Sequence, residues 1–137
     1  MRIRIENGRV LDPATGRDEI GSVLLENGRI QAAFSDGGQE ADRVIDASGC
    51  WVMPGLIDLH VHFRDPGYTY KETLATGARA AARGGFTAVC PMANTNPVID
   101  TPERVAALAE RAEKESVVRI LPIGAVTKGL EGEELTD

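Results

Sequence analysis

The 137-residue sequence has little of what marks several protein classes: two cysteines, two histidines and no excess of basic residues. The net charge is −6 and the pI is about 4.9. Such a chain lacks the positive surface that attracts nucleic acid or an anionic membrane, so neither is an expected partner. No apolar run approaches the roughly 18 residues of a transmembrane helix. The first five residues alternate charged and apolar side chains, unlike a signal peptide, so we expect a cytoplasmic protein.

The two cysteines, Cys50 and Cys90, are far apart in the sequence. Neither belongs to a Cys-x-x-Cys pair, which excludes the usual cysteine-based zinc or redox site. Both have apolar neighbours in the sequence, which predicts buried, reduced thiols of the kind found in cytosolic proteins.

Residues 1–53 have the pattern of short antiparallel strands. Asn-Gly occurs twice between apolar-alternating flanks, at 7–8 and 27–28, and each pair predicts a hairpin turn. Loops are expected at 12–16 and 35–38, where proline, aspartate and glycine cluster, and a short strand at 44–46. This part is predicted to be a small β-domain.

Residues 54–137 have a different pattern, in which apolar strands alternate with helices. We predict strands at 56–63, 86–92 and 117–123, a helix at 71–83, and a second helix capped by Asp100 or Thr101. A turn at 65–67 is expected to end the first strand, whose apolar residues share one face: Ile57, Leu59, Val61 and Phe63. The first helix is expected to end at Gly84 and to pack through a stripe of Leu74, Ala78, Ala81 and Ala82. The order βαβαβ implies a parallel α/β sheet. Three strands cannot close a (β/α)8 barrel, so we expect the start of such a barrel, truncated after about three strands.

Both histidines lie in the first strand of this second part. His60, His62 and Arg64 alternate with apolar residues, so they share one face of the strand near its C-terminal end. Two imidazoles at this spacing can hold one metal ion, although the exposed polar face of an amphipathic strand gives the same pattern. Asn94 follows the second strand, at the same end of the predicted sheet.

Two longer stretches resemble a known family. Residues 44–62 resemble the entry to the barrel of the amidohydrolase superfamily, and residues 60–67 and 84–95 are similar to dihydroorotases of the long bacterial type. The resemblance covers essentially the whole chain. It implies that residues 1–53 form part of a small β-sandwich domain, and that residues 54–137 begin a metal-dependent hydrolase barrel.

The resemblance also implies roles for the four polar residues. In the family, the residues matching His60 and His62 bind one or two zinc ions, and those matching Arg64 and Asn94 hold the carboxylate of the substrate. Imidazole suits Zn²⁺, and a planar guanidinium pairs well with a carboxylate. Without the resemblance, an ordinary turn residue is the preferred interpretation of Asn94.

The reaction implied is the reversible hydrolysis of dihydroorotate to N-carbamoyl-L-aspartate in pyrimidine biosynthesis. The family's catalytic aspartate and its further metal ligands are expected beyond residue 137, so this chain alone is expected to be inactive. A homo-oligomer is expected, and association with aspartate transcarbamoylase is a further possibility that the resemblance raises.

Three alternatives compete with this interpretation. Hydantoinases, dihydropyrimidinases and allantoinases act on neutral rings, for which Arg64 has no carboxylate to bind. Non-catalytic dihydroorotase homologues that only scaffold aspartate transcarbamoylase tend to lose the metal histidines, whereas His60 and His62 are both present. A small binding module is a third alternative, against which the abrupt end after the third strand argues.

Overall fold

The computed structural model describes residues 1–34 and 40–137, with only the backbone described at 32–34. The predicted loop at 35–38 therefore lies outside the described residues. The chain divides into two compact units, Met1–Pro54 and Gly55–Asp137. The sequence analysis placed the boundary between residues 53 and 54.

The first unit is a five-stranded sheet. Its strands are β1 (Arg2–Asp12), β2 (Arg17–Glu26), β3 (Arg29–Phe34), β4 (Arg43–Asp46) and β5 (Trp51–Val52). The order is β3-β2-β1-β4, and β5 also pairs with β1. β1, β2 and β3 are antiparallel neighbours, but β4 and β5 run parallel to β1. The expectation of purely antiparallel strands was wrong, because β4 pairs with β1 across the sheet and not with its neighbour in sequence.

The two Asn-Gly pairs have different structures. Asn27 and Gly28, with φ of 51° and 77°, connect β2 to β3 as the predicted hairpin turn. Asn7 also has a positive φ of 63°, but it lies inside the continuous strand β1, where the register with β2 shifts. The hairpin predicted at 7–8 is therefore wrong: an Asn-Gly pair can also form a bulge, and the turn at 12–16 makes the β1–β2 connection instead.

The bulge in β1 has a packing reason. A Cβ atom on Gly8 would lie 2.4 Å from Cγ2 of Val52, so only glycine allows β5 to approach β1 here. The side-chain amide of Asn7 donates a hydrogen bond to Oδ1 of Asp46, at 3.0 Å, at the end of β4. The bulged residues thus connect β1 to both of its parallel neighbours.

The cysteine prediction is half correct. Both thiols are free, and Cys90 is buried in the second unit, but Cys50 is exposed. Cys50 lies in the turn before β5, where its backbone N–H donates to the Ala47 carbonyl at 2.8 Å. The turn uses the backbone of Cys50 and leaves its side chain in solvent, which the apolar neighbours in the sequence did not indicate.

The second unit is built as the sequence predicts, from alternating strands and helices. They are β6 (Leu56–Val61), α1 (Leu74–Arg83), β7 (Phe86–Pro91), α2 (Pro102–Glu115) and β8 (Arg119–Ile120), followed by a 3₁₀ turn at Lys128–Leu130. β6, β7 and β8 form a parallel sheet in that order. The third strand is shorter than the predicted 117–123. Neither α1 nor α2, nor the 3₁₀ turn, is long and apolar enough to cross a membrane.

Both helices begin and end at residues suited to the task. Thr73 caps α1 through a reciprocal capping box with Thr76, and Gly84 caps its C-terminal end as predicted. The hydroxyl of Thr101 caps α2 by accepting from the backbone N–H of Arg104, and Pro102 occupies the first turn. These local signals fix where each helix starts above the sheet.

One face of the parallel sheet packs against the helices. The buried apolar residues form a single cluster: Phe63, Leu74, Ala78, Val89, Ala93, Ile99, Leu108, Ala112, Ile120 and Ala125. Gly77 lies within this contact, because a Cβ atom there would be 2.6 Å from the ring of Phe63. The predicted stripe on α1 included Ala82, which is exposed, and omitted Gly77.

Strand β6 departs from strict alternation. Ile57 and Leu59 were expected on a buried apolar face with Phe63, but they are 62% and 70% exposed. The register with β7 shifts between Asp58 and Val61, and the backbone N–H of His60 donates to Oδ1 of Asp58 at 3.0 Å. This irregularity interrupts the period of two just before the histidines.

Candidate metal and anion site

The two histidines lie where β6 ends. His60 is in the strand and His62 is one residue beyond it, and both are exposed. Their ring centroids are 5.1 Å apart, in an edge-on arrangement of 65°. The structure therefore brings the two imidazoles together at the C-terminal edge of the parallel sheet.

Asn94 reaches this pair from the loop after β7. Its side-chain oxygen lies 2.8 Å from Nδ1 of His62. An amide oxygen only accepts hydrogen bonds, so Nδ1 of His62 carries the hydrogen and Nε2 of the neutral ring has a free lone pair. Asn94 thus orients His62 through one end of the amide, while its NH2 group has two hydrogens left to donate.

Arg64 was predicted on the same strand face as the histidines, but this prediction is wrong, because β6 ends at Val61 and Arg64 lies three residues beyond it. It has a φ of +62°, a left-handed conformation that is uncommon for residues with a side chain. Arg64 is half-buried, yet within residues 1–34 and 40–137 its guanidinium makes no hydrogen bond and no ion pair. A half-buried cation without a protein partner is suited to binding an anion.

The loops that carry Arg64 and Asn94 are joined by backbone contacts. The N–H of Asn96 donates to the Pro66 carbonyl at 3.1 Å. A Cβ atom on Gly67 would lie 2.0 Å from the Asn96 carbonyl oxygen, and Gly67 has a φ of +88°. Only glycine satisfies both conditions, so the predicted turn at 65–67 also holds the two loops together.

Asp65, next to Arg64, is a residue that the sequence analysis treated only as part of a turn. Its side chain is 2% exposed and accepts three hydrogen bonds: 2.8 and 3.0 Å from the two terminal nitrogens of Arg111, and 3.2 Å from the Leu74 N–H. Burial opposes its ionisation, but the hydrogen bonds from Arg111 and Leu74 outweigh burial and lower the pKa of Asp65.

Arg111 completes this contact from the middle of α2. Its pKa is raised by hydrogen bonds to Asp65 first and to Glu115 second. Nothing in the sequence near residue 111 distinguishes this arginine from the other charged residues of the helix. The signal that could have found the pair is the position of Asp65 between the apolar strand residues and Pro66. A carboxylate buried there requires a cationic partner.

The donor set fits part of a zinc site. Imidazole nitrogens are suitable zinc ligands, and the contact with Asn94 occupies only Nδ1 of His62. Catalytic zinc takes three protein ligands, and in the described ranges no group of three histidine, cysteine, aspartate or glutamate side chains is close enough to hold a metal. Within the described residues, His60 and His62 are thus two candidate ligands.

Comparisons with known proteins identify the family of the chain. The family model for Dihydro-orotase-like proteins matches residues 49–137. The dihydroorotase of Syntrophotalea carbinolica is 50% identical over 137 residues, which is all of this chain and 32% of that protein. The dihydroorotase of Clostridioides difficile is 49% identical over 136 residues, covering 98% of this chain and 32% of that protein. The chain thus spans about a third of the length of these curated relatives.

Solved structures of a hydantoinase and a dihydropyrimidinase are similar to this chain in fold, at lower sequence identity. An L-hydantoinase (dihydropyrimidinase) from Arthrobacter aurescens superposes with a TM-score of 0.80 at 28% identity, covering 91% of this chain and 28% of that one. A dihydropyrimidinase from Brevibacillus agri gives 0.77 at 29% identity, covering 93% and 28%. The predicted α/β fold of amidohydrolase type is confirmed, and the chain belongs to the dihydro-orotase-like family.

Proposed function

We propose that this chain supplies the first part of the active site of a dihydroorotase, which hydrolyses dihydroorotate reversibly to N-carbamoyl-L-aspartate. The observation that carries the proposal is the edge at which β6 and β7 end, where Asn94 holds one of two imidazoles whose ring centroids are 5.1 Å apart. Arg64, whose guanidinium makes no hydrogen bond or ion pair within the described residues, follows them in the chain. Activity belongs to a polypeptide of the relatives' length that contains this chain, called here the full-length protein. We assign no catalytic acid or base to residues 1–137.

In this proposal His60 and His62 hold zinc, either one ion or two, together with ligands from elsewhere in the full-length protein. Bound zinc supplies Lewis-acid chemistry, which polarises the ring amide and makes water a better nucleophile. The part of this chain is to present two imidazole nitrogens in fixed orientation. Asn94 contributes by holding Nδ1 of His62.

The second part of the proposal concerns the substrate carboxylate. The guanidinium of Arg64 forms charge-assisted hydrogen bonds with it, and the NH2 group of Asn94 donates to the same anion. The two loops are joined through Pro66 and Asn96, so the anion site is held next to the histidines. A ring fixed by its carboxylate presents its amide to the metal in one orientation.

A hydantoinase or dihydropyrimidinase is the second candidate, favoured by the structural similarity at TM-scores of 0.80 and 0.77. The identity to dihydroorotases is 50%, compared with 28% to the L-hydantoinase. The free guanidinium of Arg64 would also be left without a partner on a neutral ring. These points favour the dihydroorotase, and a non-catalytic role would leave the paired histidines without a purpose.

Partners are a further part of the proposal. The substrate is a small molecule, dihydroorotate or N-carbamoyl-L-aspartate. Self-association into a homo-oligomer and binding to aspartate transcarbamoylase stay predictions that rest on the family resemblance.

The metal part is tested by zinc analysis of the full-length protein. We expect a His60→Ala, His62→Ala double variant to lose most of its bound zinc and its activity, because two ligands are removed together. Arg64→Met is the matched control and should keep its zinc, since it changes a neighbouring residue that is not a ligand. Undiminished zinc in the double variant would reject the assignment of these two histidines.

A further inference from the structure

We propose that Asp65 and Arg111 form a positioning pair that sets the place of Arg64 in the anion site, and so determines the preference for a substrate with a carboxylate. This inference rests on the proposed function and goes beyond it by assigning two residues that do not bind substrate or metal. The pair links the turn after β6 to the helices α1 and α2.

The buried carboxylate is tied to two elements at once. Arg111 approaches from α2 and donates through both terminal nitrogens, at 2.8 and 3.0 Å. The backbone N–H of Leu74, in the first turn of α1, donates to the same carboxylate at 3.2 Å. A two-point guanidinium–carboxylate contact fixes orientation as well as distance, so the turn cannot rotate without breaking it.

Arg64 lies between two buried anchors. Phe63 before it is 5% exposed and packs in the apolar cluster, and Asp65 after it is 3% exposed. The positive φ of Arg64 is a conformation that persists only where the surroundings impose it. On its C-terminal side, the Arg64 carbonyl accepts from the Tyr68 N–H at 2.9 Å within the turn, and the Asp65–Arg111 contact is the constraint that ties this turn to α2.

The same contact also bears on the Asn94 loop. Pro66, directly after Asp65, accepts the hydrogen bond from the N–H of Asn96. Moving the turn away from α2 would therefore loosen the loop that brings Asn94 to His62. The Asp65–Arg111 contact is thus linked to both loops that carry the donors proposed for the carboxylate.

Asp65 does not contact the substrate in this account. Its side chain is 2% exposed, and its two oxygens already accept from Arg111 and Leu74. It acts through Arg64 and is a positioning residue. Loss of the pair should thus reduce the discrimination between an anionic and a neutral ring more than it reduces turnover of the neutral ring.

The test compares kcat/KM for dihydroorotate with kcat/KM for dihydrouracil, a ring without the carboxylate, in the full-length protein. We expect Asp65→Asn to lower this ratio about 10- to 100-fold, because displacement of a binding group by about 1 Å has effects of that size. Arg111→Gln should lower it in the same direction. Glu115→Gln is the matched control, because it removes the charge of the other partner of Arg111 and leaves Asp65 paired. It should change the ratio less than about 2-fold.

A second readout does not depend on turnover. Phenylglyoxal modifies arginines, and mass spectrometry gives the rate at Arg64 relative to exposed Arg79 in the same chain. We expect Arg64 to react several-fold faster in Asp65→Asn and Arg111→Gln than in the wild type or Glu115→Gln. Should Arg111→Gln fail to fold, because it leaves the Asp65 carboxylate buried without its cation, Asp65→Asn decides the question. The Arg111 side chain that Asp65→Asn leaves behind is 43% exposed and still pairs with Glu115.

The outcomes separate the two proposals. A ratio that does not change in Arg111→Gln and Asp65→Asn, with both substrates slowed equally, would show that the pair is merely structural and would overturn the inference. A wild type that does not process dihydroorotate would reject the proposed function. In that case an unchanged labelling rate at Arg64 would reject the positioning role as well, and a raised rate would retain it.

Discussion

The two ring nitrogens of His62 have different surroundings, and this difference explains much of the candidate site. Nδ1 is held by the side-chain oxygen of Asn94 at 2.8 Å, which leaves Nε2 for a ligand. Arg64 is the opposite case, because its guanidinium has no partner in the described parts of the chain. One residue is oriented and the other is left free, as expected where a metal and an anion bind side by side.

The Asp65 carboxylate is expected to make the stability of the protein depend on pH. Its pKa in the folded protein is lowered below the ordinary value of about 3.9, so its contribution to stability is present above about pH 4 and is lost as the pH falls through the folded-state pKa. We expect Asp65→Asn to destabilise the full-length protein by about 1.5–3 kcal/mol at pH 7. The difference in Tm between wild type and variant should shrink below pH 4. A gap that stays constant from pH 7 to pH 3 would contradict this.

Single residues were predictable from the sequence only where a short pattern identified them. His60, His62 and Arg64 are two apart in the sequence, and this spacing carried the metal hypothesis, whereas the carboxylate role of Arg64 rested on the family resemblance. Asp65 and Arg111 are 46 positions apart, and no local pattern connects a turn aspartate with a helix arginine. Cys50 was misjudged because apolar neighbours in sequence do not show which way a turn directs a side chain.

Among the elements, the contact between α1 and the segment that follows β6 depends on one glycine. Gly77 is in the middle of α1, where alanine would ordinarily favour the helix by about 1 kcal/mol. The ring of Phe63 fills the space that a side chain would need, and it is only 5% exposed. Glycine lowers the helix propensity of α1 at this position, but it allows the helix to pack closely on Phe63, directly after the two histidines.

We therefore expect Gly77→Ala to destabilise the second unit by about 1–3 kcal/mol, since overpacking exceeds the gain in helix propensity. Denaturant unfolding of the full-length protein, followed by probes in this unit, measures the effect. Phe63→Leu should relieve part of the cost, so a double-mutant cycle should give a favourable coupling of about 1 kcal/mol. Stabilisation by Gly77→Ala alone would show that this packing argument is wrong.

The elements were predicted better than their pairing. The βαβαβ order, the cap at Gly84 and the start of α2 followed from periodicity and capping residues, which act over a few positions. The parallel pairing of β4 with β1, the bulge at Asn7 and the irregular register in β6 did not. Each depends on which strand lies alongside, and turn residues carry no information about that.

For the chain as a whole, the parallel sheet leaves apolar surface in solvent. Ile57, Leu59 and Leu121 are 62%, 70% and 49% exposed, and among the described strands β8 pairs with β7 alone. We expect the 137-residue chain to self-associate when expressed alone, because apolar residues and an open strand edge promote association. Sedimentation velocity over a tenfold concentration range checks this. A concentration-independent monomer that unfolds cooperatively would contradict it.

Binding of the dihydroorotate carboxylate by Arg64 is the step on which the proposed function depends, and a comparison of two substrates tests it. It measures the ratio of kcat/KM for dihydroorotate to that for dihydrouracil, in wild-type full-length protein and in Arg64→Met. Loss of a charge-assisted, partly buried contact is worth about 2–5 kcal/mol, so the ratio should fall roughly 30- to several thousand-fold while bound zinc is unchanged. A wild type that prefers dihydrouracil, or a ratio that Arg64→Met leaves the same, would contradict the dihydroorotase assignment and favour a dihydropyrimidinase.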